Sequence, residues 1–133
     1  MPAAVPASAY RFAVVPGTQI FTELCEGCWS LEFTLRYVAD FKAAVAPLLG
    51  RPWGKLCDLD AWLPTAPDAA ETIIDFLKWS IAQGMVSVAY VIGNPDARLQ
   101  ARRIIEASRV DVRCDFFASE AEGLAWLRRN GLG

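Results

Sequence analysis

Segments with strand character and segments with helix character alternate along this chain, and that alternation limits its fold more than any other feature. Two β-rich segments, 10–15 and 19–24, come first and are joined by the turn pair Pro16-Gly17, which predicts a hairpin. The other predicted strands are 54–59, 86–92 and 110–116, and the predicted helices are 31–49, 65–83, 95–108 and 119–131. The order ββαβαβαβα predicts one α/β domain with a mixed, mainly parallel sheet and right-handed crossovers.

Helix ends and helix faces are predicted from residues with positional preferences. Thr65 is predicted to cap the second helix, and Ser119 with Glu122 forms a capping box for the fourth. Asn130-Gly131 is a favoured stop. Apolar residues at helical spacing predict the buried face of the first helix: Leu31, Val38, Phe41, Val45 and Leu49.

Length and composition favour a soluble protein with one core. The chain has 133 residues, 54% of them hydrophobic and 21% charged, with no run of ~20 apolar residues that a membrane helix needs. Residues 1–9 are predicted to be a flexible tail, and residues 10–133 the domain. The opening segment lacks the basic start and apolar run of a signal peptide, so we expect a cytoplasmic protein. A net charge of −2 argues against nucleic-acid binding.

The chain has no histidine, the residue used most often as a general base near neutral pH and as a metal ligand. We therefore expect a protein that is not an enzyme and that holds neither a metal ion nor a cofactor. Its four cysteines are expected to be reduced thiols in the cytoplasm. Cys57 and Cys114 are interpreted as small core residues.

Three stretches carry a family resemblance: 53–60 (WGKLCDLD), 66–92, and 116–119 (FFAS) with 125–127 (AWL). They resemble the SpoIIAA-like branch of the STAS domains, small bacterial proteins that share the fold of anti-sigma-factor antagonists. The likeness extends over residues 10–132. It implies a four- or five-stranded mixed sheet flanked by four helices, no catalytic activity, and binding of apolar ligands, lipid surfaces or other proteins.

The resemblance also implies a place for regulation by phosphate. In the phosphorylated antagonists a serine stands at the start of the second helix, but residues 60–68 of this chain contain no serine. Thr65 is the one hydroxyl residue there, and it is open to two interpretations, a helix cap or a phosphorylation site. The second would make the chain a partner switch.

Cys25-Glu26-Gly27-Cys28 places two thiols three positions apart, a spacing that suits a redox pair or half of a zinc site. A thiol redox protein that uses Cys25 and Cys28 is therefore an alternative to a binding module. The chain has no second such pair and no histidine, so Cys57 and Cys114, which lie on predicted inner strands, would have to converge on the motif to complete a zinc site. Two cysteines in a turn without a shared function are the simpler interpretation.

Aromatic and apolar residues near the third strand predict a binding surface. Trp62 and Leu63 follow that strand, and Trp53 precedes it, so the loop could form one wall of an apolar pocket. On the second helix, Phe76 and Trp79 are placed at the flank of an inner face, where an exposed patch would favour a homodimer. The inner face is predicted to comprise Ile73, Ile74, Leu77 and Ile81.

Two clusters of charged residues could indicate function, but each also has an ordinary structural interpretation. The third helix is basic on one side, which suits either anionic lipid headgroups, with peripheral membrane contact, or plain solvation. Its basic residues are Arg98, Arg102 and Arg103, with Arg109 just beyond. Asp58 and Asp60 could be mistaken for a catalytic pair, but no further acid, histidine or glycine-rich loop lies near them in sequence.

The sequence thus predicts a non-enzymatic binding or regulatory module for an apolar small molecule, a lipid surface or a protein partner. The predicted ligand-binding residues are Trp53, Trp62, Leu63, Thr65, Phe76 and Trp79.

Overall fold

A computed structural model describes residues 6–108 and 112–133. The strands are β1 (Ala9–Val14), β2 (Ile20–Glu26), β3 (Trp53–Asp58), β4 (Met85–Val91) and β5 (Arg113–Phe117). The helices are α1 (Leu31–Val45), α2 (Pro67–Ala82), α3 (Pro95–Ser108) and α4 (Glu120–Leu127). A short 3-10 helix, Ala46–Leu48, follows α1. A short π-helical segment, Arg128–Leu132, follows α4, and we call it the last turn.

The five strands form one sheet in sequential order, β1-β2-β3-β4-β5. Strands β1 and β2 are antiparallel, and the pairs from β2 to β5 are parallel. The predicted hairpin and the mixed, mainly parallel sheet are therefore confirmed. Ala9, predicted as the last residue of the tail, already pairs with Glu26 in the hairpin, and residues 1–5 of the predicted tail lie outside the described residues. Part of the predicted fifth strand, Val110 and Asp111, lies outside the described residues.

Helices cover both faces of the sheet and enclose two cores. Helices α1, α2 and α3 bury the larger core, which contains Phe41, Phe76 and Ile104. Helix α4 and the last turn bury the smaller core on the other face, with Leu127 and Leu132. Because side chains alternate along a strand, each central strand contributes to both cores. Cys57, for example, belongs to the larger core and its neighbour Leu56 to the smaller one.

The buried face of α1 differs from the predicted one. Ser30 caps the helix by accepting a hydrogen bond from the Phe33 N–H at 3.2 Å. Leu31 is 36% exposed, so the prediction that it belongs to the inner face is wrong. The buried side chains of the helix are Thr34, Tyr37, Phe41 and Val45. The prediction centred the face on aliphatic residues and missed a threonine and a tyrosine.

The start of α2 also differs. Thr65 does not cap the helix, because the residue in the cap position is Ala66, which offers no side-chain hydrogen bond. Gln100 of α3 instead engages the Thr65 backbone, accepting from its N–H at 2.8 Å and donating to its carbonyl oxygen at 3.0 Å. The predicted capping role is thus wrong, because a contact between two helices takes the place of a local cap.

Phe76 of α2 lies at the centre of the buried face, and not at its flank as predicted. The fully buried residues of this helix are Ala69, Phe76, Leu77 and Ser80, whereas Ile73, Ile74 and Ile81 are half-buried. The small buried residues Ala69 and Ser80 lie two turns before and one turn after Phe76, so the inner face is centred on the phenylalanine and not on the isoleucines. Among the helices of the described residues, none is long and apolar enough to cross a lipid bilayer.

Candidate functional site

Five reactive or ionisable side chains meet inside the larger core, and we call them the buried polar cluster: Glu23, Cys25, Tyr37, Lys55 and Cys57. Glu23 pairs with Cys57 across β2 and β3. Cys25 and Lys55 stand two positions away along the same strands, so all four point to the face covered by α1–α3. Tyr37 reaches them from the inner face of α1.

Glu23 and Lys55 form an ion pair in the interior. Lys55 Nζ lies 3.0 Å from Glu23 Oε1, and the two side chains are 3% and 1% exposed. The geometry of this contact is not that of a hydrogen bond, so Oε1 takes part in the ion pair only. The other carboxylate oxygen, Oε2, accepts a hydrogen bond from the Tyr37 hydroxyl at 2.5 Å. The ammonium also lies 5.2 Å from the ring centroids of both Phe41 and Phe76, within range of cation–π attraction.

The ionisation of the cluster follows from burial and from its one carboxylate. Burial, the largest single effect, lowers the pKa of Lys55, but Glu23, Cys57 and Cys25 together outweigh it, so the pKa rises above the usual 10.5 and the lysine stays charged. Burial, helped by Glu23, raises the pKa of Tyr37 well above its usual value. Burial also raises the pKa of the Cys25 and Cys57 thiols, which are therefore protonated near neutral pH.

A cavity of about 50 Å³ adjoins the buried polar cluster. At that volume it holds about three water molecules. Apart from the cluster, its walls are almost entirely apolar, and they come from α2, α3, β4 and the segments that follow β2 and β3. These wall residues are Trp29, Leu59, Trp62, Ile73, Phe76, Leu77, Tyr90, Ala101 and Ile104.

Trp62 forms one wall of the cavity and stands on the loop that follows β3. Its side chain is 3% exposed, and its backbone bridges to Gly27 at the end of β2. Gly27 donates its N–H to the Ala61 carbonyl oxygen at 2.9 Å and accepts from the Leu63 N–H at 3.0 Å. The loop that follows β3 is therefore held against the end of β2 by a few backbone hydrogen bonds, with the indole turned inward over the cavity.

Of the six predicted ligand-binding residues, Trp62 and Phe76 line the cavity, and the other four do not. Trp53 is buried at the opposite end of β3, where its Nε1 donates to the Gln83 carbonyl oxygen at 2.9 Å. Leu63 is half-buried beside Trp62. Trp79 is half-buried, with Lys42 Nζ 4.8 Å from its ring centroid.

Thr65 and the cysteine pair have different surroundings from those expected. Thr65 is 8% exposed, and within the described part of the chain its buried hydroxyl has no hydrogen-bond partner. Cys25 is buried and Cys28 exposed, with both thiols free, and Cys28 donates to the Pro64 carbonyl oxygen at 3.2 Å. The cysteine that adjoins Cys25 in the interior is Cys57. The low thiol pKa that favours redox work is not found at Cys25.

The predicted basic side of α3 is partly engaged with the sheet. Arg98, Arg102 and Arg103 are all exposed, and the guanidinium carbons of the first two lie 4.8 Å and 4.6 Å from the ring centroid of Phe116. Arg109 lies outside the described residues. Two of the predicted basic residues thus make cation–π contacts with the sheet.

Asp58 and Asp60 do not form a pair of equivalent acids. Asp58 accepts a hydrogen bond from the Asp60 N–H at 3.0 Å. A hydrogen bond with Asp58 also raises the pKa of Glu120 at the start of α4, with burial adding to the effect. This local network at the carboxyl ends of the strands lies outside the cavity's lining.

The sequence reasoning missed Glu23, Tyr37 and Lys55, which form the centre of the site. One signal could have found two of them. Lys55 alternates with Trp53 and Cys57 on a strand without any other basic residue, and Glu23 alternates with Phe21 and Cys25. Opposite charges at inward positions of two neighbouring strands predict an ion pair in the core.

The comparison with solved structures agrees with this architecture. The chain superposes with a TM-score of 0.70 on an uncharacterized protein of the DUF3478 family from Shewanella loihica PV-4 that has a SpoIIAA-like fold. The sequences are 16% identical, and the match covers 96% of this chain and 98% of the other. This chain has a SpoIIAA-like fold. No protein-family model and no curated protein matches the sequence.

The SpoIIAA-like fold confirms the predicted fold class and the resemblance on which it partly rested. At this identity the likeness concerns the fold alone. What the site does must therefore be argued from its own residues.

Proposed function

We propose that the chain is a non-enzymatic binding module whose cavity takes up a small molecule with an apolar body and a polar end. One observation carries the proposal: the buried ion pair and the cavity occur at the same place in the core. Each of them lowers stability on its own. A buried ion pair is often no better than well-packed apolar side chains of similar volume, and a cavity forfeits packing energy.

The chemistry of the lining supports a ligand of this class. The walls under Trp62 are aromatic and aliphatic, while the floor offers the Tyr37 hydroxyl, the Glu23 carboxylate and the Lys55 ammonium. Such a division is typical of small-molecule sites, where apolar walls supply affinity and a few polar groups fix orientation. Because Lys55 is already neutralised by Glu23, a neutral polar end such as a hydroxyl or carbonyl group suits the floor best.

The cavity is smaller than the roughly 300–1,000 Å³ of ordinary ligand pockets, so uptake requires it to widen. The loop that carries Trp62 is the wall most able to move. It is irregular backbone, and its contact with the end of β2 rests on a few hydrogen bonds, whereas the other wall residues except Trp29 and Leu59 belong to helices and strands. We therefore expect ligand uptake to change the surroundings of the Trp62 indole.

Intrinsic fluorescence and thermal unfolding with a series of straight-chain alcohols and ketones of increasing length test the proposal. We expect ligands of one length range to raise the melting temperature and to shift tryptophan emission, and Trp62→Phe to reduce the emission change. Ala101→Leu extends a side chain into the cavity and should abolish binding, while the matched control Ala107→Leu alters an exposed position of the same helix and should not.

Circular dichroism and the melting temperature establish that both variants are folded. If the Ala101→Leu variant is poorly folded, Ala101→Val replaces it in the experiment, because valine adds one carbon fewer to the cavity. Equal binding by the Ala101 variant and the Ala107→Leu control would contradict the proposal. The lack of any response to the alcohols and ketones would contradict it as well.

A further inference from the structure

The donor atoms of Glu23, Cys25 and Cys57 converge at one point of the buried polar cluster. One carboxylate oxygen and the two sulfur atoms all lie within 4.8 Å of one another, and all three residues are buried. They stand on the adjacent central strands β2 and β3, which hold their backbone positions. The uptake of an apolar molecule makes no use of the two thiols.

We propose that Glu23, Cys25 and Cys57 bind a zinc ion. Zinc favours cysteine sulfur and accepts a glutamate oxygen, whereas hard cations such as magnesium and calcium take oxygen ligands. In a tetrahedral zinc site with Zn–S of about 2.3 Å and Zn–O of about 2.0 Å, the donor atoms are about 3.5–3.8 Å apart. The present separations, at most 4.8 Å, require an approach of about 1.3 Å at most, within the reach of side-chain rotation.

Charge balance favours a divalent ion at this place. Two thiolates and one carboxylate carry three negative charges, and the zinc ion with the Lys55 ammonium carries three positive charges. The loaded site is therefore neutral as a whole, which matters because uncompensated charge is costly in the interior. Lys55 needs no new partner, since Nζ already lies 3.0 Å from Glu23 Oε1.

The surroundings of Glu23 also fit a ligand carboxylate. Tyr37 donates to Oε2, and a hydrogen bond to a ligating carboxylate is the usual way to fix its orientation. Oε1 belongs to the ion pair with Lys55 but accepts no hydrogen bond, so it keeps a lone pair for a metal beside the ammonium. The adjoining cavity supplies room for a fourth ligand, because three protein ligands plus water is a common zinc arrangement.

Metal loading of the reduced protein tests the proposal. After incubation with zinc and gel filtration, elemental analysis should find about one ion per chain. Cobalt(II) in place of zinc should give sulfur-to-metal charge-transfer absorption, which requires thiolate ligands. Because both thiols must lose their protons, loading should release about two protons per ion into a weakly buffered solution.

The four cysteines provide matched controls. Cys25→Ala and Cys57→Ala should each weaken zinc binding by about 100-fold or more, while Cys28→Ala and Cys114→Ala should leave it unchanged. The proposal would be overturned if the Cys28→Ala variant lost zinc binding, or if the two inner variants, Cys25→Ala and Cys57→Ala, both retained it. If the inner variants do not fold, the native protein decides, because cobalt loading without charge-transfer absorption would equally overturn it.

This inference and the proposed function can fail separately. Metal loading is measured without any apolar ligand, and ligand uptake is measured with a chelator present. Ala101→Leu should abolish uptake of the apolar ligand and leave the cobalt absorption in place, because Ala101 contributes no metal donor.

Discussion

Glu23 and Lys55 each stabilise the other against the cost of burial. Neither side chain has solvent contact of note, so the carboxylate depends on Lys55 and Tyr37, and the ammonium on Glu23 and two aromatic rings. Removing one member leaves the other as an uncompensated charge in the core, a far greater loss than the net value of the pair itself.

Lys55→Met should therefore lower the free energy of unfolding by about 3–5 kcal/mol, because the Glu23 carboxylate loses its counter-charge inside the core. The triple variant Glu23→Met, Tyr37→Phe, Lys55→Met removes the charges and the hydroxyl together, and should lie within about 1 kcal/mol of the native protein or above it. Urea denaturation measures both. A triple variant as unstable as Lys55→Met would show that the ion pair is a net stabilising contact.

The sequence predicted a residue at the edge of the site but not the residues at its centre. Trp62 was predicted because an indole after a strand and before a proline is conspicuous in the local sequence. Glu23 and Lys55 are 32 positions apart, and their meeting depends on the register between β2 and β3, which pairs Glu23 with Cys57. Alternation along each strand could have marked the two residues as inward charges, but local patterns do not determine the register between strands separated by a helix, so they do not show that the two side chains meet.

Helix boundaries were predicted more closely than helix contacts. The predicted third helix, 95–108, has the bounds of α3, because Asn94 caps it by accepting from the Asp96 and Ala97 N–H groups at 2.8 Å and 3.0 Å. The start of α2 depends on Gln100 from another helix, and local sequence could not supply that contact. Local caps are readable from a sequence, and contacts between helices are not.

Helix α4 approaches the sheet through a glycine. A Cβ atom at Gly123 would stand 2.6 Å from Leu56 Cδ1 and 3.3 Å from the Ala89 Cβ, on β3 and β4. This close approach lets Leu127 fill the smaller core.

Gly123→Val should therefore lower the free energy of unfolding by about 2 kcal/mol, since it forces the helix and the strands apart. Ala125→Val is the matched control at an exposed position of the same helix, and it should cost only a few tenths of a kcal/mol through helix propensity. Thermal or urea unfolding measures the difference. Equal losses in the two variants would mean that the helix stands further from the sheet than its glycine indicates.

The whole molecule is two cores on one sheet, and the central strands connect them. Lys55 and Cys57 enter one core while Gly54 and Leu56 meet the other, so neither core can unfold without exposing strands that the other requires. The SpoIIAA-like fold thus places the buried polar cluster on strands that are covered by helices on both faces.

Val45 and Leu127 test this connection, because they are fully buried on opposite faces of the sheet. Val45→Ala should cost about 1–3 kcal/mol and Leu127→Ala about 2–5 kcal/mol, through lost burial and the cavities left behind. With the sheet between them the two sites share no partner, so the losses should add within about 0.5 kcal/mol in the double variant. Fluorescence and circular dichroism should follow one urea transition in all three variants. Two separate transitions, or a double variant no less stable than Leu127→Ala alone, would mean that the cores unfold independently, and the buried polar cluster would then lie in a subdomain able to open without α4.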